Sequence, residues 1–382
     1  MKTQSIQGRD VRRGDLLTIT YDAERIRSID RSRDPATDIP VLAPGLIDAQ
    51  VNGFRGSDVN GVEASSESIQ SITAELAKIG VTSWVPTIVT ASEDLIINAQ
   101  LCIERARKAD PRVAKAIPCT HVEGPFISDR DGPRGVHDAR HIRPIDPAEV
   151  QRWQRSGARV GVVTVSPHWP DSASRIAELC AMGVTVAVGH THASTQQIVD
   201  AVDAGARLST HLGNGIDTLI RRHPNAIWTQ LADDRLVCGL IADGHHLPAD
   251  TLEVMLRAKG PSGAFLVSDA TALAGEQPGR YETPVGGTVD LSEDGRLSYA
   301  GTDLLAGAAT NLADGLRNVL RVTSLSLTQA LRLVTENPAR VTPGARPGLG
   351  TLRVGAPPDF VLLSRDGEVF QVVQSGARVG KR

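Results

Sequence analysis

Cysteine, aromatic residues and excess charge of either sign are all scarce in this chain. The four cysteines, Cys102, Cys119, Cys180 and Cys238, are scattered among 382 residues without a CxxC pair. They read as small core residues in a reducing compartment, not as a disulfide framework. The formal net charge is only −3, with Lys and Arg spread along the chain, so the basic patch that nucleic-acid binding needs is missing. No apolar run approaches membrane-spanning length. The opening residues, MKTQSIQGRDVRRGDLLTI, lack the apolar core of a signal peptide. Together these absences predict a cytoplasmic protein with no nucleic-acid and no membrane partner.

Low-complexity segments, heptads and short repeats are absent too. What recurs is an apolar, β-branched run followed by an amphipathic stretch. The runs are LAPGLIDA (42–49), VTSWVPTI (81–88), KAIPCTHV (115–122), VGVVTV (160–165), VTVAVG (184–189), ARLST (206–210), LVCGLIA (236–242) and AFLVS (264–268). Helix-like segments such as SIQSITAELAKIG (68–80) and STQQIVDAVDAG (194–205) lie between them and end in Gly, a common helix stop. Continuous apolar runs alternating with helices indicate a parallel sheet buried on both faces. Eight such runs predict a (β/α)8 TIM-type barrel over 42–345, which can absorb most of this length as one domain. Residues 1–41 and 346–382 read as short strands with turns, predicting a small β-sandwich domain built from both termini. Region 281–301 reads as a hairpin inserted after the eighth strand.

Barrel enzymes assemble their sites at the C-terminal ends of the strands, and metal-binding residue types fall there repeatedly. Gln50 and Asn52 follow the first run, and His121 and Glu123 the third. His190 follows the fifth, His211 the sixth, Asp243 and His246 the seventh, and Asp269 the eighth. Glu123, His190 and His211 form a mixed N/O ligand set with an open position, as in a catalytic zinc site. Singly, each has a plainer reading as a hydrogen-bonded structural residue, and Asp269 as a helix N-cap. Jointly, several independent buried polar groups converging on one mouth require a shared partner. His121 and His192 are read as structural.

Across these residues the sequence resembles the N-acetylglucosamine-6-phosphate deacetylase family of the amidohydrolase superfamily. The resemblance is carried by APGLIDAQVNG (43–53), HVEGPF (121–126), RGVHD (134–138), VGHTHAS (188–194), STHLGNGI (209–216), IADGHH (241–246), SDATALAG (268–275), LAGAAT (305–310) and ENPAR (336–340). It implies a metal-dependent hydrolase that removes the acetyl group from an N-acetylated amino sugar phosphate. The alternative is a related enzyme acting on an unphosphorylated N-acyl compound. Many superfamily members carry a His-x-His pair after the first strand, holding a second metal. Gln50 and Asn52 stand there instead, implying one divalent ion, a zinc, at Glu123, His190 and His211. The resemblance further implies Asp269 as general acid/base and His137 as the group that polarises the substrate carbonyl. It implies His246, Asn214, Gly215 and Arg222 as substrate contacts, and a homodimer.

The chain also departs from the family. Gly213 stands where bulk is common, suggesting a less crowded sugar site. The loop ISDRDGPRG (127–135) lacks the usual lysines, and Arg130 and Arg134 are candidates to replace their charge. Arg221 and Arg222 are as readily solvated surface charges as phosphate ligands. With aromatics at 3%, few residues beyond Trp169 and Trp228 are available to stack on a sugar.

Overall fold

The computed structural model describes residues 3–33, 39–283 and 287–380. Eight strands form one parallel sheet: β1 (Leu46–Val51), β2 (Val81–Val89), β3 (Thr120–Glu123), β4 (Val160–Val165), β5 (Thr185–Val188), β6 (Leu208–Ser209), β7 (Val237–Ile241) and β8 (Ala264–Val267). Each pairs with its neighbour in sequence, and parallel bridging of Val51 to Ala270 brings the last strand back to the first. The seam is stitched further: Asp269 N–H donates to Gln50 O at 3.0 Å, and Asn52 N–H to Ala270 O at 2.8 Å. The chain is thus an α/β barrel, as the strand–helix alternation predicts.

Burial explains the apolar runs. All six residues of β4 and all nine of β2 are buried, because the sheet is covered on both faces. Ala49, Val162, Ala187, Leu208, Phe265 and Val267 fill the barrel interior. A larger core between sheet and helices includes Trp84, Val122, Trp153, Val163 and Leu240. The expected helices form at Ser66–Lys78 and Thr195–Asp203. Ser65 and Ser194 cap them, the latter in a capping box with Gln197. Gly80 and Gly205 follow with φ of 98° and 119°, the left-handed stop that glycine adopts without strain.

Three details differ from the sequence reading. The run 42–49 serves two sheets: Val41–Pro44 pairs with Phe360–Leu363, and only Leu46–Val51 enters the barrel. The run 115–122 is strand only at its end, because Asp110 caps a helix at Pro111–Ala116 that takes its first two residues, and β3 keeps four residues. The insertion after β8 is three strands, Gly279–Thr283, Gly287–Leu291 and Leu297–Tyr299, over a satellite core of Leu273, Val289, Leu291, Leu297 and Ala306. The terminal segments form one seven-stranded mixed sheet with Val41–Pro44 at its centre. Ile6, Leu17, Ile19, Tyr21 and Phe360 pack beside it.

Candidate metal centre and substrate cavity

The C-terminal ends of the strands open into a cavity of about 750 Å³. At its floor, Glu123 leaves the end of β3, His190 follows β5 and His211 follows β6. Glu123 Oε1 lies 2.9 Å from His211 Nε2 and 3.3 Å from His190 Nε2. The two imidazole nitrogens are 3.1 Å apart. Three donor atoms so close, all buried, define a triangle that one cation can cap. His190 Nδ1–H donates to Pro133 O at 2.8 Å, which fixes the tautomer and leaves Nε2 for a ligand. Their hydrogen bonds and mutual charge hold Glu123 well below the ordinary carboxylate range despite burial. His211 is pushed up to about 9 against its burial, chiefly by the Glu123 carboxylate.

His137 completes an overlapping cluster: ligand atoms of Glu123, His137 and His190 all lie within 4.8 Å of one another. Its ring stands edge-on to that of His190, with centroids 4.4 Å apart. Thr90 engages His137 Nδ1 through its hydroxyl at 2.9 Å and its N–H at 3.4 Å. The triangle containing His211 spans no more than 3.3 Å. Burial, with the neighbouring His190, pushes His137 down to about 3, so its imidazole is neutral at physiological pH.

Asp269 follows β8 and faces the triangle. Gln50 Nε2 donates to Asp269 Oδ1 at 3.0 Å and to Glu123 Oε1 at 3.0 Å, so one amide spans both carboxylates. Asn52 Nδ2 adds a 2.8 Å bond to Asp269 Oδ1. Burial and the Glu123 charge raise Asp269 to about 6. His190, His211 and Asp269 have φ of 45°, 25° and 52°, left-handed backbone that costs a non-glycine residue roughly 1–3 kcal/mol. Cross-strand bonds hold it there: Ser128 N–H to His190 O, Leu212 N–H to Gly239 O and Asp269 N–H to Gln50 O.

The remaining expected residues separate into two groups. His246, Asn214 and Gly215 line the cavity, and His246 Nδ1 is held by Asp243 Oδ2 at 2.6 Å. Arg222 is exposed, as is Arg221, and neither is among the lining residues. Arg134 is spent locally, donating to His137 O at 3.0 Å and pairing with Asp131. Gly213 does not relieve the cavity. A Cβ there would meet Leu247 and Met255 at 3.0 and 3.1 Å, so its missing side chain matters to packing against the Ala249–Lys259 helix. His121 Nε2 bonds Thr164 Oγ1 at 2.7 Å, a structural role as read from the sequence. Sequence reasoning passed over Thr90, although it follows the end of β2 much as Glu123 closes β3. It also passed over the acidic wall of Asp58, Glu63 and Glu282, and the described lining residues include no Lys or Arg.

The amidohydrolase family model matches residues 41–379. N-acetylglucosamine-6-phosphate deacetylase of Danio rerio is 32% identical over 355 residues, covering 90% of this chain and 85% of that one. The chain belongs to this deacetylase family of amidohydrolases. N-acetylgalactosamine-6-phosphate deacetylase of Shewanella sp. (strain ANA-3) is 30% identical over 348 residues, covering 88% of this chain and 82% of that one. Among solved structures, a mutant N-acetyl-D-glucosamine-6-phosphate deacetylase from Mycobacterium smegmatis, in complex with N-acetyl-D-glucosamine-6-phosphate, superposes with a TM-score of 0.85 at 28% identity. The match covers 96% of this chain and 95% of that one. The chain carries a buried cluster suited to a metal at its barrel mouth. No helix among the described residues is long and apolar enough to cross a membrane.

Proposed function

We propose that this deacetylase-family chain hydrolyses the acetamide of an N-acetylated amino sugar 6-phosphate, releasing acetate and the free amine. One observation carries the reading: the Glu123–His190–His211 triangle, the Asp269 carboxylate and the His137 imidazole converge on one cavity, in a chain whose full-length relatives are named for this reaction. We assign Glu123, His190 and His211 as ligands of one zinc-type ion, since their donor atoms are 2.9–3.3 Å apart. When bound, such an ion polarises the amide oxygen and lowers the pKa of water to about 7. Asp269 is held through Oδ1 alone, leaving Oδ2 to accept the proton of the attacking water. It then returns that proton to the departing amine. His137, with Nδ1 engaged by Thr90, presents Nε2–H to the oxygen on which negative charge develops. His246, Asn214 and Gly215 face the sugar.

A second reading, an unphosphorylated N-acyl substrate, is favoured by one observation: the cavity is lined by Asp58, Glu63 and Glu282 and by no Lys or Arg among the described residues. Arg222 stands exposed on a surface loop outside the lining residues, so a phosphate contact requires it to reach the cavity from that loop. Acetate release from matched N-acetylglucosamine substrates, with and without the 6-phosphate, decides between the two. The phosphate reading expects a large kcat/KM preference for the phosphorylated sugar. It also expects Arg222→Ala to raise KM for that sugar by roughly tenfold to a hundredfold, as loss of a charge-assisted contact should. Equal kcat/KM for both substrates selects the second reading. No acetate from any N-acetylhexosamine overturns the first reading and confines the second to other N-acyl compounds.

A further inference from the structure

A second group of metal-ligating side chains lies outside the cavity, on loops that follow three consecutive barrel strands. Asp129 follows β3, His168 follows β4 and His192 follows β5, and one ligand atom from each lies within 4.8 Å of the others. The two imidazoles pack side by side with centroids 4.1 Å apart. Each is held by a serine on its Nδ1: Ser166 Oγ on His168 at 2.7 Å and Ser128 Oγ on His192 at 2.6 Å. A hydroxyl that accepts from Nδ1–H leaves the Nε2 lone pair as the free donor, the arrangement in which imidazole binds metals. His168 supplies the independent sign that something is to be bound. Its side chain is only 10% exposed, yet its Nε2 has no hydrogen-bond partner among the described residues. A buried nitrogen without a partner costs about 1–3 kcal/mol. Its nearest charged neighbour is Asp129 Oδ1 at 3.7 Å. Trp169 packs on the ring, with centroids 4.3 Å apart, and Gln197 holds the His168 carbonyl at 3.4 Å, so the nitrogen is fixed in place.

We infer that Asp129, His168 and His192 form a peripheral site for a divalent transition-metal ion of the zinc class. Two imidazoles and a carboxylate select Zn²⁺, Co²⁺ or Ni²⁺ over Mg²⁺ or Ca²⁺, which take oxygen ligands. Ligand atoms roughly 2.0–2.2 Å from an ion fall within about 4 Å of one another. Asp129 Oδ1 already stands 3.7 Å from His168 Nε2, and the Asp129 side chain, 60% exposed, is free to adjust to an ion. Asp217 lies near His192 and reinforces the attraction for a cation, whereas Arg130 opposes it. The ion clamps the loop carrying Asp129 and His137 to the ends of β4 and β5, bracing His137 from outside the cavity.

Metal-depleted full-length protein is titrated with Zn²⁺ against a chromophoric chelator, and bound zinc is counted by elemental analysis. Wild type is expected to take up two equivalents. The His168→Ala, His192→Ala variant should take up one, and the Glu123→Gln, His211→Gln variant should keep one. Asp129→Asn, at an exposed position, should weaken the peripheral equivalent about tenfold or more, while Mg²⁺ should not compete. Equal uptake by wild type and the His168→Ala, His192→Ala variant overturns the inference. So does unchanged zinc affinity in Asp129→Asn, which also serves if the double variant fails to fold. Zinc that survives in the Glu123→Gln, His211→Gln variant and disappears from the other supports the site even if no acetate is ever released. Failure here is therefore distinct from failure of the deacetylase reading.

Discussion

Asp269→Asn separates the roles a carboxylate can play beside a metal. Both hydrogen bonds to Asp269 arrive at Oδ1, from Gln50 at 3.0 Å and Asn52 at 2.8 Å. An asparagine there keeps both bonds by placing its carbonyl oxygen at the Oδ1 position, which directs its NH₂ to where Oδ2 stood. Folding then changes little, and the lost negative charge is one that burial already penalised, having raised this carboxyl to about 6. The NH₂ group can neither accept the water proton nor pass it to the amine. General acid–base catalysis contributes about 10²–10⁴-fold, so kcat should fall by that factor, or roughly 3–5 kcal/mol of barrier. Acetate release, bound zinc and thermal unfolding are measured on the same preparation. Turnover within a few-fold of wild type removes Asp269 from the chemistry. Loss of zinc together with activity makes it a ligand and refutes the assignment of the proton to it.

Three further outcomes follow from the geometry. Gly215→Ala should cost about 1–3 kcal/mol and weaken zinc binding roughly 10–100-fold, because a Cβ at φ 60° would sit 2.7 Å from His190 Nδ1. Wild-type zinc affinity in that variant would exonerate the contact. Asp48 is raised from 3.8 to about 7 by burial, so between those values the unfolded chain holds fewer protons than the folded one and stability falls as pH rises. Asp48→Asn should remove that slope, worth at most about 4 kcal/mol, in denaturation of metal-depleted protein at pH 4.5 and 7.5; equal slopes would contradict it. Cys102, Cys119 and Cys238 are buried and Cys180 is half-buried, with Cys119 pushed up to about 12 by burial. A thiol reagent at pH 8 should therefore label Cys180 alone until the protein unfolds, and rapid labelling of two or more thiols would count against the packing.

The barrel was legible because burial on both faces demands uninterrupted apolar runs, and β4 coincides with VGVVTV to the residue. The convergence of Glu123, His190 and His211 was legible because strand ends are fixed by topology, so the three could be brought together without knowing any loop. Where loops decide, the reading ran out. Arg222 was placed by its motif, and the loop carrying it lies at the surface. Gly213 was read against a sugar and packs against Leu247 and Met255 instead. His192 was set aside as structural because a better-placed neighbour stands beside it, and Asp129 and His168, which the fold brings to it, are 63 and 24 positions away on two other loops. No periodicity links such positions. The bridging role of Gln50 was likewise invisible, since an amide at a strand end does not announce which two carboxylates it will join.

The sheet built from both termini has a consequence for biosynthesis. Val41–Pro44 lies between Gln4–Arg9, made at the start, and Phe360–Leu363, made near the end. At about 5–20 residues per second, roughly 15–60 s of translation separate the two segments. Throughout that interval one edge of the amino-terminal strands, Val41 and Leu42 included, waits unpaired while the entire barrel is assembled. Unpaired edges of this kind recruit strands from other chains. On a crowded polysome, neighbouring nascent chains would present the same open edge at the same time, so the hazard to yield lies in the order of synthesis and not in the finished fold.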